Sequence, residues 1–408
     1  MKKLLSALFA VVFVIAALTS CSNDTLGESL AQRVKPDDKA SYNFNVTETS
    51  SPTSYESYRT AAMNFSINML KILKQAAYSP MALYYQLSML QNAASGDTRS
   101  SIKHLTGDSL SLDELNECNG YFFSRLEALG NKKTSAYIDI NGSFLFNETA
   151  PVSQSFLLTN ADFYNQDVFR LDFSSDDFTA KVNSYLSEKT NGDASYNKTP
   201  DKSPDILLLN SAFMRDSWLR GYKNGDIITD VFKGSDKAVK KNFLKSTEFY
   251  IEDKNCTGFI KDFKDTPAKF IALLPKKGNV GSFLEKFNSD SYYALLDSMK
   301  VTKTCTAYIP EFAQKSTISF INNKKLSFLG EKGSYTPLSY NAKLKVSDIA
   351  QSFNININRK GLGNVKAVSS KSEKIKAKKE VKLNRPFIYL IVDNESRLPI
   401  FMGTADKI

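Results

Sequence analysis

The chain of 408 residues holds one histidine, His104, and four cysteines, Cys21, Cys118, Cys256 and Cys305. Nucleophilic, acid–base or soft-metal chemistry would have to rest on these. A serine or cysteine nucleophile needs a neighbouring base, and histidine is the usual one. His104 lies in the polar context Ile102-Lys103-His104-Leu105-Thr106-Gly107, which reads as a surface or helix-end position. No CxxC pair occurs, so a zinc-binding spacing is missing. Beyond Cys21 the cysteines are odd in number, which leaves at least one without a disulfide partner. Buried, inert thiols are the plainer reading. Gly361-Leu362-Gly363 is a lone GxG and no GxxxxGK[ST] loop is present, so no phosphate cradle is indicated. This inventory predicts no enzyme, no metal and no cofactor.

Charge points elsewhere. The formal net charge is +10, but it is unevenly placed. Arg359, Lys360, Lys366, Lys371, Lys374, Lys376, Lys378, Lys379, Lys382 and Arg385 crowd one segment, with only Glu373 and Glu380 against them, a local +8. Without Lys2 and Lys3 the rest of the chain is about neutral, so the excess is a local feature. Such a run attracts polyanions. It lacks the interleaved aromatics of a base-stacking platform, so no nucleic acid partner is expected.

The elements that would position this segment are legible as patterns. Ser79-Pro80 reads as a helix cap and first helical residue, and Leu83, Leu87 and Leu90 give the helix an apolar stripe that Gly96 should end. Asp177 to Lys189 reads as a second helix, with Phe178, Val182, Tyr185 and Leu186 on one side and a stop at Asn191-Gly192. Asp205 to Phe213 and Phe270 to Pro275 are continuous apolar runs, the mark of strands buried on both faces. Phe387 to Val392 and Leu398 to Met402 flank the turn-rich Asp393-Asn394-Glu395-Ser396 and predict a hairpin. Helices first and strands later imply an α+β domain with substantial antiparallel sheet.

The N-terminus carries an address. Lys2 and Lys3 precede an apolar run from Leu4 to Leu18, followed by Thr19-Ser20-Cys21. A charged start, an apolar stretch too short to span a bilayer and small residues at a cleavage point describe a secretory signal over 1–20. Leu18-Thr19-Ser20-Cys21 resembles a bacterial lipobox, in which Cys21 would carry the lipid. An ordinary signal that happens to contain a Cys is the other reading. Residues 21–52 are rich in Ser, Thr, Asn and Asp and read as a flexible tether. The body then spans 53–408, with no linker or repeat inside it.

Several segments of that body resemble landmarks of the serpin family, in the family's order. Tyr78-Ser79-Pro80-Met81-Ala82, with Met89-Leu90 and Ala94-Ser95-Gly96-Asp97-Thr98, is similar to its early helix. Val182-Asn183-Ser184-Tyr185 through Lys189-Thr190-Asn191-Gly192 resembles the helix lying across its main sheet. Leu209-Asn210-Ser211-Ala212-Phe213 with Trp218 resembles its central strand, and Phe270 to Pro275 and Tyr308-Ile309-Pro310-Glu311-Phe312 resemble two further strands. Asn384-Arg385-Pro386-Phe387 through Phe401-Met402-Gly403 is similar to its C-terminal signature almost position by position. Trp218, Phe387 and Phe401 read as core residues, Ser79 as a cap and Asn183 as a buried hydrogen-bonding group.

The resemblance implies helices packed on a large, mainly antiparallel central sheet, with further β-sheets and an exposed reactive loop at about 358–385. It also implies a function: an inhibitor of serine-type endopeptidases, with cysteine proteases as a second class, whose cleaved loop inserts into the main sheet. Asn358-Arg359-Lys360-Gly361 resembles the opening of that loop and Glu380 to Phe387 its close. Counting between them places the scissile bond at Ile375-Lys376, with Lys374-Ile375 and Lys376-Ala377 in reach. A lysine before the cut suits a trypsin-like protease. The hinge Gly361, Leu362, Gly363, Asn364, Val365, Lys366 departs from the family's threonine and small residues. Strand alternation would send Leu362, Asn364, Lys366 and Val368 to one face of an inserted strand, and burying an unpaired ammonium costs several kcal/mol, on the order of the penalty for any lone buried charge. The expected partners are a target protease and, through Cys21, a membrane, with the protein a monomer lipid-anchored to the bacterial cell envelope, at its outer membrane or surface. The alternative is a non-inhibitory serpin that binds anionic partners through its basic loop.

Overall fold

The computed structural model describes residues 51–73, 77–129, 136–190, 205–330, 333–340, 342–367 and 377–408, with Leu26, Ser29, Leu30, Gly192, Ser195 and Tyr196. Four helices come first: α1 (Tyr55–Leu73), α2 (Pro80–Ala93), α3 (Gly96–Thr106) and α4 (Leu112–Leu129). Next are β1 (Tyr137–Asn147), α5 (Gln154–Thr159), β2 (Asp167–Leu171), α6 (Phe178–Thr190) and β3 (Ile206–Ser217). Strands β4 (Ile227–Lys233), β5 (Ala238–Glu252), β6 (Cys256–Asp262) and β7 (Ala268–Pro275) lead to α7 (Val280–Glu285) and α8 (Ser289–Asp297). The chain closes with β8 (Thr304–Pro310), β9 (Phe312–Ser319), β10 (Val346–Asn358), β11 (Gly361–Leu362), β12 (Lys379–Lys382), β13 (Phe387–Asp393) and β14 (Pro399–Ala405).

The strands form two sheets. One has six strands in the order β2-β1-β3-β11-β10-β9; the other runs β12-β8-β5-β6-β7-β13-β14, with β4 alongside β5. Most pairings in the first sheet are antiparallel, and two are parallel: β1 with β2 and β3 with β10. The apolar run of β3 is explained by cover on both faces. Ile206 and Leu208 enter the main core beneath the helices, while Leu207 and Leu209 enter a smaller cluster with Phe178, Val182, Tyr185 and Leu186 of α6. Ala350 of β10 joins that smaller cluster, so α6 lies across both β3 and β10.

Local signals place most of these elements. Ser79 caps α2 as expected, its Oγ accepting from the Ala82 N–H at 3.4 Å and donating to the Ile400 carbonyl at 2.7 Å. Gly96 differs from expectation. It does not end α2; it opens α3 at a φ of +52°, two residues after the break at Ala94. The hairpin forms from β13 and β14, paired from Phe387–Ala405 to Val392–Pro399.

The tether reading fails for part of its span. Leu26 is buried in the α6 cluster and Leu30 packs against the main core. The buried Ser29 hydroxyl donates to the Val168 carbonyl at 3.2 Å and accepts from the Val168 N–H at 2.9 Å. A polar composition hides two leucines and a serine, and the serine's partner lies 139 residues away in sequence, so no local pattern reveals the docking.

Candidate functional site

The feature that sets up function is a seam in the six-stranded sheet. β3 and β10 run parallel and pair directly from Ile206–Val346 to Ala212–Phe353. Beyond that point they diverge, and the two-residue strand β11 occupies the gap. Leu362 pairs with Asp216 on one side and Ile357 on the other, antiparallel to both. The seam is therefore closed along seven pairs and occupied at one end by the start of the basic segment.

A glycine makes this wedge possible. Gly361 has a φ of +152°, and a Cβ there would stand 2.0 Å from the Asp216 carbonyl oxygen, a contact no side chain tolerates. Leu362 is fully buried in the second core cluster, which also contains Met214, Trp218 and Ile357. The chain leaves the sheet at Gly363, whose φ is +75°. Asn364, Lys366 and Ala367 are exposed and Val365 is buried. The alternation expected of an inserted strand therefore stops at Leu362, and neither the Asn364 amide nor the Lys366 ammonium enters the sheet. Ser217 Oγ donates to the Lys366 carbonyl at 2.9 Å, which holds the exit.

Trp218 binds the origin of the segment. Its indole N–H donates to the Asn358 carbonyl at 2.9 Å and its backbone N–H to the Lys360 carbonyl at 3.1 Å. The ring stacks on Phe263 at 4.8 Å and meets Phe270 edge-on at 5.8 Å. Lys261 supports it from below: its buried ammonium lies 5.1 Å from the Trp218 ring and 4.8 Å from Tyr222. That ammonium donates to Glu248 at 2.6 Å and to the Arg220 carbonyl at 3.2 Å. Burial works against the Lys261 charge, but Glu248 and Tyr222 together outweigh it and hold the ammonium above the ordinary lysine range. Asp216 is buried as well; burial pushes its carboxyl up, against the N–H and O–H bonds it accepts from Thr266 and Asp265.

The closed length of the seam carries a second set of bonds. Asn210 of β3 and Gln351 of β10 are register partners, and the Gln351 amide donates to Asn210 Oδ1 and to the Ser79 carbonyl at 2.9 Å. Ser79 N–H returns a bond to Gln351 Oε1 at 2.7 Å. Asn210 donates to Gln86 at 2.6 Å, and Gln86 reaches the carbonyls of Ser143 and Leu209 at 3.1 and 2.9 Å. All four residues are buried. Sequence reasoning missed Gln86, Gln351, Asn210, Asp216 and Lys261. The one available signal was a polar residue inside an apolar run, Asn210 in Leu209-Asn210-Ser211.

The candidate residues named from sequence divide. Gly361, Leu362, Gly363, Asn364 and Lys366 come together at the open end of the seam. Ala377 is half-buried just before β12, where the basic segment joins the second sheet alongside β8. Lys374, Ile375, Lys376 and Cys21 lie outside the described residues. His104 is exposed and bonds Asp108 at 2.7 Å. Asn183 is half-buried, accepting from Tyr196 N–H at 2.7 Å. Cys118, Cys256 and Cys305 are free and buried; burial pushes Cys118 and Cys305 up to about 12, and Cys256 up as well.

The family description "Serpin (serine protease inhibitor)" matches residues 60–407. The chain belongs to the serpin family. It is 22% identical over 382 residues to alpha-1-antiproteinase of Rattus norvegicus, covering 88% of this chain and 91% of that protein. The thermophilic serpin tengpin in its native state superposes with a TM-score of 0.81 at 26% identity, over 93% of this chain and 99% of tengpin. Tengpin in its latent state gives 0.73 at 25% identity, over 88% of this chain and 99% of tengpin. The better fit to the native form agrees with a seam that holds only two residues of the hinge. The serpin family is one of protease inhibitors rather than catalysts.

Proposed function

We propose that this serpin is an exported inhibitor of trypsin-like serine proteases, anchored by a lipid on Cys21 to the bacterial cell envelope. The protease cuts in the region Lys374, Ile375, Lys376, Ala377, and the upstream part of the loop then enters the β3–β10 seam. The observation that carries this reading is the lodging of Gly361–Leu362 between β3 and β10, in register with both. Each further residue that follows Leu362 inward replaces one parallel β3–β10 contact by two antiparallel ones, and antiparallel pairing is slightly the more stable per residue. A distorted protease left acylated is the inhibitory outcome.

Asn364 and Lys366 favour a second reading, a serpin that binds anionic partners through its basic loop. Both side chains are exposed, and insertion would have to bring them inside at a cost on the order of 1–3 kcal/mol for an unbonded amide and more for the ammonium. Incubation with trypsin and electrophoresis in SDS separates the readings. A covalent complex larger than the serpin is expected for the inhibitor; complete cleavage with no complex overturns it. The double change Asn364→Ala, Lys366→Ala is expected to raise the ratio of complex to cleaved loop. Fractionation of Cys21→Ala tests the anchor: release from membranes is expected, and unchanged fractionation overturns it.

A further inference from the structure

The docked N-terminal segment places the anchor. Val168, which Ser29 grips, pairs with Phe144 of β1, and Phe144 pairs with Leu208 of β3. Leu208 pairs in turn with Ile349 of β10. The hinge sits eight residues further along β3, at Asp216, which at 3.3 Å per residue is about 26 Å away. Leu26 joins the same end, in the cluster with Leu207 and Leu209. Five residues separate Cys21 from Leu26, a reach of at most ~18 Å. The Cys21 backbone therefore cannot reach the hinge while Leu26 and Ser29 stay docked.

The surface beside that end has the chemistry of a membrane contact. Tyr340 is 90% exposed, the most exposed large apolar side chain among the described residues that stand out in this way. Lys343 and Lys345, a few residues on, are exposed just ahead of the β10 start at Val346. The Lys345 carbonyl accepts from Ile206 N–H at 3.0 Å, which ties this stretch to the end of the seam opposite the hinge. An exposed amphipathic ring and two exposed ammonium groups on one short stretch of chain suit the headgroup level of an anionic bilayer.

We propose that Leu26, Ser29 and Leu30 form a docking strap that seats the protein on an anionic lipid surface by the end bearing Tyr340, Lys343 and Lys345, with the hinge end pointing away. This rests on Cys21 as the point of lipid attachment. The orientation presents the basic loop to a protease in the medium. It also gives insertion a direction: continuing the register set by Leu362 and Asp216 carries the scissile region past Ile206, so a trapped protease arrives at the lipid-facing end.

The test attaches the lipid chemically, so that it does not depend on cellular lipidation. Residues 21–408, which include every described residue, are coupled at Cys21 to a maleimide phospholipid; the other three thiols are buried. The protein is held on vesicles of phosphatidylcholine and phosphatidylglycerol carrying an acceptor dye. A donor dye is placed through an unnatural amino acid at Lys324, exposed on the strap side, or at Arg359, exposed at the hinge. Transfer from position 324 several-fold stronger than from 359 is expected. Equal transfer, or the reverse order, overturns the proposal. Leu26→Asp with Ser29→Ala is expected to level the two. Tyr340→Ser, which disturbs no packing, is expected to weaken transfer from 324, and levels left unchanged by both variants would overturn the strap. A Cys21→Ala protein that stays with cell membranes would instead remove the anchor reading and leave the measured orientation standing.

Discussion

The two ends of the β3–β10 seam are held by different means. At the closed end, seven backbone pairs are backed by the Asn210–Gln351–Ser79–Gln86 network, buried and mutually bonded. At the hinge end a single leucine occupies the gap, admitted by one glycine and held by Trp218, itself propped on a buried ion pair. The difference teaches how a sheet can be stable and still admit a strand. Opening the closed end strands polar groups until new partners arrive, which makes a barrier. The hinge end has that step already taken.

The largest effect is expected from breaking the hinge at its glycine. Gly361→Val meets the Asp216 carbonyl and an unfavourable φ together, a penalty of roughly 3 kcal/mol or more. It should expel Leu362, seen as lost amide protection at Leu362 and altered Trp218 fluorescence. Retained protection would mean that the hinge tolerates a side chain and that the two ends differ less than argued.

Gln351→Leu attacks the other end. It keeps volume but leaves Asn210 Oδ1 and the Ser79 N–H without partners, and the Ser79 carbonyl with the Leu83 N–H alone, at about 2–3 kcal/mol. The denaturation midpoint should fall, and spontaneous insertion of the uncut loop should speed up, read as loss of tryptic sensitivity between Lys371 and Lys382. Slower insertion would show that the network does not guard the seam. Leu362→Thr should weaken hinge docking by about 1–2 kcal/mol through lost apolar burial, and hydrogen exchange at β11 would register it.

The smallest effect is titration beneath Trp218. Lys261 is raised in the folded protein, so its contribution to stability is complete below the ordinary value of 10.5 and is lost as pH rises through the folded one. Urea midpoints measured upward from pH 10 should drop in the parent and drop less in Lys261→Met. Parallel curves would remove the ion pair from the hinge support.

The helices and strands around the seam were legible because each repeats a local period: the stripe of α2, the doubly apolar runs of β3 and β7, and the hairpin of β13 and β14. The hinge residues were located by the resemblance of Asn358-Arg359-Lys360-Gly361 to the opening of a serpin loop. What stayed hidden was every feature made by partners remote in the chain. Gln86, Asn210 and Gln351 span 265 positions and carry no period. The parallel pairing of β3 with β10 cannot be read from either strand, since an apolar run buried on both faces is silent about the direction of its neighbour. Leu26 and Ser29 looked like tether because their composition is that of a tether.

By itself, then, the sequence determined which segments would bury apolar surface and where the basic charge would concentrate. The tertiary structure alone decided how far the hinge enters the sheet, that Lys366 stays in water, and that the N-terminal segment grips β2. The physical reason is one of range. Propensity and periodicity act over a few residues, whereas register, close backbone approach at Gly361 and the pairing of buried polar groups are settled only when distant strands meet.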